Sequence, residues 1–465
     1  MNRYILNQNI ALRSWQLVPY AYYIKGIRNA KGLKKDEFEI LLKCDGKTEL
    51  DETSPLVKHF TENGFISPIK NGNELSKWQR YLDCDNRYFP AINWMITGKC
   101  NYNCLHCFNA ADNAPSMNGW TLEEAKKLTK QAQECGINAF TVTGGEPMVH
   151  RDFFEIIKSI YANGMYVDEL NTNGYFLDKA ALDKFREIGC NPLIKISFDG
   201  LGHHDWLRNR KGAETDALHA IRLCIENGFT VKAQTNVHRL NVDSMLSTAY
   251  MLDEMGVEEM RIIRTTESPR WKQNAGDSCM EIEEYYQRML EFTESYIKTP
   301  HQMKIDIWQF LTLFPQMRSY RMRPIEFARS EYRDSMPVCR GNRGMVAVAA
   351  DGNVYPCMQM SGYYSAKNDY LGNVKMESLR SILQKGKYLN EVCATLGDLS
   401  GKNEKCAKCL YFRHCGGGCR ALALALTGDK FGVDPAKCTF FRNGWYGRIT
   451  ETLCEWKNIM PMEVG

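Results

Sequence analysis

Between residues 91 and 265 the chain repeats one unit: a short apolar or β-branched run, then a longer stretch of helical period that stops at a glycine. The runs are Ala91–Thr97, Ala139–Thr143, Tyr166–Asn171, Leu193–Phe198, Thr230–Asn236 and Glu259–Arg264. Gly136, Gly164, Gly189, Gly228 and Gly256 close the helical stretches, as expected where the chain must turn left-handed. Thr121 opens the first helix with Glu124 three residues on, a capping box. Leu122, Ala125, Leu128 and Ala132 give that helix one apolar stripe. Strands joined by helices predict a parallel sheet, because parallel neighbours need a crossover. Ligands in such α/β architectures bind at the carboxyl ends of the strands.

The cysteines fall on this frame in groups. Of 18, eight stand singly, at 44, 84, 135, 190, 224, 279, 393 and 454, and read as small buried hydrophobes. The others cluster. Cys100, Cys104 and Cys107 directly follow the first strand, in Gly98-Lys-Cys-Asn-Tyr-Asn-Cys-Leu-His-Cys-Phe108. Cys339 and Cys357 form a second group, and Cys406, Cys409, Cys415, Cys419 and Cys438 a third. In a reducing compartment such clusters are metal ligands rather than disulfides. Three thiolates hold three irons of a 4Fe–4S cube and leave the fourth iron open to a small molecule. Zinc is the alternative: His106 and His150 lie near the first triplet in sequence, and the C-terminal pairs also suit a tetrahedral ion.

Polar motifs mark the ends of the later strands. Gly144-Gly145-Glu146-Pro147 ends the second; two glycines let backbone approach a ligand and Pro147 fixes the exit. Asn171-Thr-Asn173-Gly174 ends the third, and Ser197-Phe-Asp199-Gly200 the fourth, followed by His204-Asp-Trp-Leu-Arg208. Thr235 and Asn236 close the fifth.

The C-x3-C-x2-C triplet with these strand ends resembles the radical S-adenosylmethionine (SAM) superfamily. That resemblance implies a partial (β/α)6 barrel in an α/β protein. It implies that the open iron chelates SAM, and that one electron then breaks the C5′–S bond to give a radical that abstracts a substrate hydrogen. It places Gly144, Gly145, Glu146 and Pro147 on the SAM amino group and Arg208 on its carboxylate. Asn173, Ser197 and Asp199 would line the pocket. His106, where relatives carry an aromatic residue, would stack near the adenine. The third group, with Cys339 and Cys357, resembles the SPASM extension and implies two auxiliary 4Fe–4S clusters. Cys406, Cys409, Cys415 and Cys438 would hold the outer one, and Cys339, Cys357 and Cys419 the inner. Sulfatase-maturing relatives add a fourth inner cysteine soon after the first and an acidic residue after the third. Here residues 340–345 hold no cysteine and Met358 follows Cys357, so that activity is disfavoured. The inner set's fourth position is left open, or filled by Cys393, Cys454 or a substrate thiolate.

Residues 1–88 read differently. Arg3–Leu6, Ile10–Trp15 and Ala21–Ile27 predict a small antiparallel sheet. Asp36 is expected to cap a helix, Asp45-Gly46 to turn, Ser54-Pro55 to open a second helix and Gly64 to end it. The pattern is winged-helix-like. It resembles the leader-peptide recognition element of ribosomal-peptide modifying enzymes, which adds a peptide as an edge strand.

The expected organisation is a recognition module at 1–88, a radical SAM barrel at 89–300, a connector at 301–335 and a SPASM domain at 336–465. Glu281–Ile297 reads as an amphipathic helix whose aromatic stripe is core. Residues 1–89 carry 14 Lys/Arg and 11 Asp/Glu, a surplus too small to imply nucleic acid. No apolar run reaches a membrane span and no signal pattern opens the chain, so a cytoplasmic protein is expected. The resemblance implies a maturase of a ribosomally made precursor peptide, with thioether crosslinking as the favoured outcome. Carbon–carbon crosslinking, epimerisation, splicing and sulfatase maturation are the alternatives, and a zinc-binding scaffold is the non-enzymatic one. The cofactors implied are SAM and three 4Fe–4S clusters; the partners are the precursor peptide and an electron donor such as flavodoxin or ferredoxin.

Overall fold

A computed structural model describes residues 2–69, 74–107, 119–265 and 269–456. The N-terminal residues build strands β1 (Asn2–Leu6), β2 (Ile10–Trp15), β3 (Val18–Ile24) and β4 (Lys31–Gly32), helix α1 (Lys35–Leu42), β5 (Asp45–Leu50), α2 (Pro55–Glu62), β6 (Ile66–Ile69) and β7 (Leu82–Asp83). These strands make two sheets, which corrects the expectation of one. One sheet is ordered β5-β1-β6; the other is β4-β3-β2-β7, with β7 parallel to β2. The break follows β1, where the Leu6 and Asn7 amides donate to Cys44 O and Phe65 O, so β1 pairs with later strands. Two local expectations are also corrected. Asp36 lies inside the first turn of α1; Lys34 is the N-cap, and its amide donates to the Glu37 carboxylate at 2.8 Å. Asp45-Gly46 opens β5, with Asp45 Oδ1 accepting from the amides of Lys47 and Thr48 at 2.7 and 2.8 Å. Pro55 at the first turn of α2 and the left-handed Gly64 after it are as expected.

The repeated units fold as β8 (Ala91–Met95), α3 (Leu122–Glu134), β9 (Ala139–Thr143), α4 (Phe153–Ala162), β10 (Tyr166–Thr172), α5 (Lys179–Ile188), β11 (Leu193–Ser197), α6 (His204–Arg208), α7 (Ala213–Glu226), β12 (Val231–Val237), α8 (Met245–Glu254) and β13 (Glu259–Arg264). The strands are parallel neighbours in chain order. Crossovers of one hand put the helices on one face, so the sheet curls with the helices outside. Ile92, Phe140, Val142, Ile194 and Ile196 pack into one buried core with Ala125, Leu128, Ile156, Leu182 and Ile221 from the helices.

The stretch expected as a connector is part of the same sheet. β14 (Lys304–Ile307) pairs parallel with β13, then β15 (Leu311–Phe314) and β16 (Ser319–Met322) follow antiparallel. Ile305, Ile307, Leu311 and Leu313 are fully buried, which fixes these short strands in place. At the other edge β17 (Met345–Val348) pairs parallel with β8, and β18 (Val354–Tyr355) returns beside it. The sheet therefore runs eleven strands, from β16 to β18. The helix Ile282–Tyr296 buries Tyr285, Tyr286 and Met289, as expected of core.

The N-terminal module docks at the amino ends of the barrel strands. Trp15 Nε1 donates to Cys135 O at 3.1 Å and the Tyr23 hydroxyl to Gly136 O at 2.9 Å. Gly136 and Gly164 are required there, because a Cβ would stand 2.5 Å from Trp15 Nε1 and 2.1 Å from the Trp78 ring. Among the scattered cysteines, Cys44, Cys84, Cys135, Cys190 and Cys224 are buried as expected; Cys279 and Cys393 are half-buried and Cys454 is exposed, which corrects that reading for three. Among the described residues no helix is long and apolar enough to cross a membrane.

Candidate active site

The carboxyl end of β8 leads into the cysteine loop. Cys100, Cys104 and Cys107 pack together around Tyr102, whose amide donates to Cys100 Sγ at 3.3 Å. Burial pushes the Cys100 thiol up to about 12, opposed by the Tyr102 amide and reinforced by Cys104 and Cys107. Thiols that penalise one another's ionisation are the donor set that a cationic centre deprotonates.

The Gly144–Pro147 loop is latched to this one. The Gly145 amide donates to Thr97 O at 2.8 Å and the Glu146 amide to Lys99 O at 2.9 Å. A Cβ on Gly144 would stand 2.7 Å from Thr97 O, and one on Gly145 2.3 Å from Lys99 O, so only glycine allows the approach. The Glu146 side chain is fully buried. It accepts from the Asn173 amide at 2.8 Å, Thr172 Oγ1 at 2.9 Å and the Met148 amide at 3.2 Å. Its carboxylate thus braces the end of β10. Burial raises its pKa to about 7 against those three hydrogen bonds. Pro147 is buried in the short turn Pro147–Val149. Asn173 reaches back, its Nδ2 donating to Asn101 Oδ1 at 2.8 Å.

Asp199 is the centre of a second network. Oδ2 accepts from Arg208 Nε at 2.7 Å and lies 3.1 Å from His204 Nδ1; Oδ1 accepts from the Asn236 amide at 2.9 Å. Although burial opposes ionisation, Arg208 and His204 hold the Asp199 carboxyl well below its ordinary range. Arg208 is 7% exposed, and its Nη1 lies 3.8 Å from Cys104 Sγ. Among the described residues its Nη2 has no hydrogen-bond partner, nor does Asn101 Nδ2. His106 Nε2 lies 3.1 Å from Asn236 Nδ2, and burial lowers the imidazole to about 3, so it is neutral. Ser197 ends β11, in register with Gln234. Asn241 was not singled out in the sequence; its Nδ2 ties Asp199 O at 2.7 Å to Asn236 O at 2.9 Å. Asn101 and His204 stand inside quoted motifs but were given no role, and Asn241 was missed outright, because single polar residues carry no spacing signal.

The C-terminal thiols come together as two sets. Cys406, Cys409, Cys415 and Cys438 line one cavity with Asp434. Burial pushes Cys438 up to about 11, and Cys406 and Cys409 add to it. Burial also pushes Cys419 up to about 12, with Cys357 and Cys339 contributing. Between the sets runs Gly416-Gly417-Gly418, all left-handed. A Cβ on Gly418 would stand 2.3 Å from Asp434 Oδ2, the oxygen that accepts from the Cys419 amide at 2.7 Å. Lys437 Nζ donates to Cys415 O at 3.1 Å and to Glu326 at 2.7 Å. Cys393 neighbours Tyr388 and Cys454 neighbours Tyr320. Among the described residues no three His, Cys, Asp or Glu side chains are placed to hold a single metal ion. A cube spreads its ligands over four irons. The unpartnered Arg208 Nη2 and Asn101 Nδ2, the glycine cradle and the three thiols fit a cluster with a small polar molecule beside it.

Residues 94–250 match the Radical SAM superfamily, and residues 339–410 match SPASM, an iron–sulfur cluster-binding domain. An AdoMet-dependent heme synthase of Methanosarcina barkeri (strain Fusaro / DSM 804) is 28% identical over 349 residues, 74% of this chain and 95% of the relative. A PqqA peptide cyclase of Granulibacter bethesdensis is 23% identical over 346 residues, 73% and 85% of the two chains. Streptococcus suis SuiB bound to precursor peptide SuiA superposes with a TM-score of 0.65 at 13% identity, covering 94% of this chain and 99% of that one. Native anSMEcpe with bound AdoMet gives 0.58 at 17%, covering 79% and 99%. At these identities the two structures show the shared fold. The chain is thus an enzyme with a radical SAM domain, and its matched domains take SAM and iron–sulfur clusters. More particularly, it is one that carries a SPASM domain after the barrel.

Proposed function

We propose that this enzyme matures a ribosomally made precursor peptide by joining a cysteine sulfur to a carbon that has lost a hydrogen atom. The single observation that carries the reading is the extra module: two small sheets with edge strands, fastened by Trp15, Tyr23 and Gly164 to the floor of the barrel. A sheet edge takes a peptide as an added strand, while another stretch of the same peptide enters the barrel.

In this reading Cys100, Cys104 and Cys107 hold the cluster that meets SAM. Cys406, Cys409, Cys415 and Cys438 hold an outer auxiliary cluster, and Cys339, Cys357 and Cys419 an inner one, three clusters in all. When bound, these groups supply the reductive cleavage of SAM, the hydrogen-atom abstraction and an acceptor for the one electron left over. The chain's residues do the rest. Arg208 offers Nη2 to a carboxylate, and Gly144 and Gly145 admit an amino group against the backbone. Glu146, Asn173 and Asp199 hold those groups in place; Ser197 and the neutral His106 line the wall. The peptide loses two hydrogens, one as the abstracted atom and one as the cysteine proton. An external flavodoxin or ferredoxin supplies the reducing electron, in a cytoplasm that keeps the thiols reduced.

Mass spectrometry of the co-expressed peptide tests this. A loss of two hydrogens with a linked cysteine is expected; an unchanged mass with an inverted residue would mean epimerisation. A second reading has a specific support, the match to heme synthases over 74% of the chain. It makes the substrate a heme precursor, and conversion of an added porphyrin to heme, with no change in any peptide, would establish it.

A further inference from the structure

The face of the sheet that the helices leave open is charged. Lys195, Lys232, Glu259 and Lys304 stand side by side on β11 to β14. Two residues further along each strand, Gln234, Arg261, Asp306, Thr312 and Arg321 form a second row, from β12 to β16. Residues two apart share a face, so both rows line the inside of the curl. Glu259 Oε2 accepts from Lys304 Nζ at 2.7 Å and lies 3.1 Å from Lys232 Nζ. Asp306 lies 3.6 Å from Arg261 Nε and 3.4 Å from Arg323 Nε. Each carboxylate therefore serves two cations, and one positive charge is left over at each. Although burial opposes it, Lys304 and Lys232 hold Glu259 below its ordinary pKa, so it stays ionised. Arg321 is exposed on the same face. Lys195 and Arg28 are matched one to one, by Glu169 and Asp168.

Closed barrels fill this space with packed apolar side chains. Here the side chains of Lys232, Lys304, Arg261 and Arg323 are 24–35% exposed. An apolar ligand would strip water from these cations without replacing it; a carboxylate-bearing one pairs with them. At the carboxyl end the rows continue into Ser197 and Asn236, and Asn236 touches His106 beside the third cysteine.

We infer that this face is a track for an acidic stretch of the peptide, with Lys232, Lys304, Arg261, Arg321 and Arg323 taking its carboxylates. The inference rests on the peptide reading above and names the chemistry of the segment that reaches the site.

The test is fluorescence anisotropy on the full-length protein with three probes: a labelled Asp-Gly-Ser repeat peptide, its Asn-Gly-Ser counterpart, and coproporphyrin III, a tetracarboxylate. Two charge-matched variants are compared, K304Q/R321Q/R323Q inside the curl and K126Q/K158Q/K179Q on the outer helices. The acidic peptide should bind about tenfold tighter than the amide peptide, and the inner variant should lose about tenfold while the outer one changes by less than about twofold. If the triple variant does not fold, R321Q alone, at an exposed position, should lose about threefold. Without capture of coproporphyrin III, equal affinity of the two peptides, including none for either, or equal losses in the two variants, overturns the inference and leaves the peptide reading standing. Capture of coproporphyrin III with neither peptide held overturns both.

Discussion

Arg208 Nε donates to Asp199 Oδ2 at 2.7 Å with both side chains buried, and Nη2 of the same guanidinium meets no partner among the described residues. The pair unites two jobs. It fixes the plane of the guanidinium beside Cys104, and it leaves one donor without an acceptor among the described residues. Asp199 in turn is held from behind by the Asn236 amide, and its carbonyl by Asn241.

Asp199→Asn should therefore unsettle the fold more than a surface change does. It strands the Arg208 charge in the interior, which costs about 3–5 kcal/mol when a buried pair loses one partner. Urea denaturation reads this directly. Arg208→Lys keeps a charge but loses the planar fork. We expect SAM retention to fall about tenfold in equilibrium dialysis of the reconstituted protein, with iron content unchanged. Unaltered retention would remove Arg208 from the SAM site.

Gly145→Ala tests the latch between the two loops. The new Cβ meets the carbonyl oxygens of Lys99 and Gly98 at 2.3 and 2.7 Å, and backbone atoms cannot swing aside. A cost of about 1–3 kcal/mol is expected, together with lower iron occupancy at the first triplet. Gly189→Ala is the control. Gly189 is left-handed with nothing within 4 Å of a Cβ, so it should cost about 1–2 kcal/mol of backbone strain and leave iron content alone.

The barrel was legible because its signals are local. β-branched alternation named all six strands to within a residue or two, and Gly136, Gly164 and Gly189 stop helices where the chain turns left-handed. Spacing marked the three stretches of clustered cysteines, but that Cys419 joins Cys339 and Cys357 came only from the SPASM resemblance. What escaped depends on partners far away in the chain. β14 is four residues long with charged Lys304 and Asp306 on alternate positions, and only pairing with β13 and β15 makes it a strand. β1 and β2 are separated by three residues, yet β1 pairs with β5 and β6. The same limit applies to the site. Glu146 sits in a recognisable motif, but that its carboxylate grips Asn173 and Thr172 follows only from the fold.

Removing one thiol from each proposed set should have separable consequences. Cys100→Ala, Cys357→Ala and Cys406→Ala are each expected to lose about four irons of about twelve per chain in anaerobically reconstituted protein. Only the first should abolish the change in the cluster's electron paramagnetic resonance signal on adding SAM. Cys393→Ala, beside Tyr388, should keep the full iron count. Loss of iron from Cys393→Ala would instead make it the fourth ligand of the inner set.

Glu146 gives a pH signature. Burial raises its carboxyl from an ordinary 4.5 to about 7. Below about 4.5 the group is protonated in the folded and unfolded chains alike and contributes no pH dependence. As pH rises from there towards 7, the unfolded chain ionises first, and the folded state loses stability by up to about 3 kcal/mol. Above 7 both forms are ionised and the cost is constant. Glu146→Gln keeps the shape, still accepts from the Asn173 amide, and cannot ionise. The difference in unfolding free energy between variant and parent should therefore shift in the variant's favour between pH 4.5 and 7 and level off above, as measured by urea titrations at fixed temperature. A flat difference across that range would show that the carboxylate is ionised in the fold at low pH, and that the hydrogen bonds from Asn173, Thr172 and Met148 outweigh its burial.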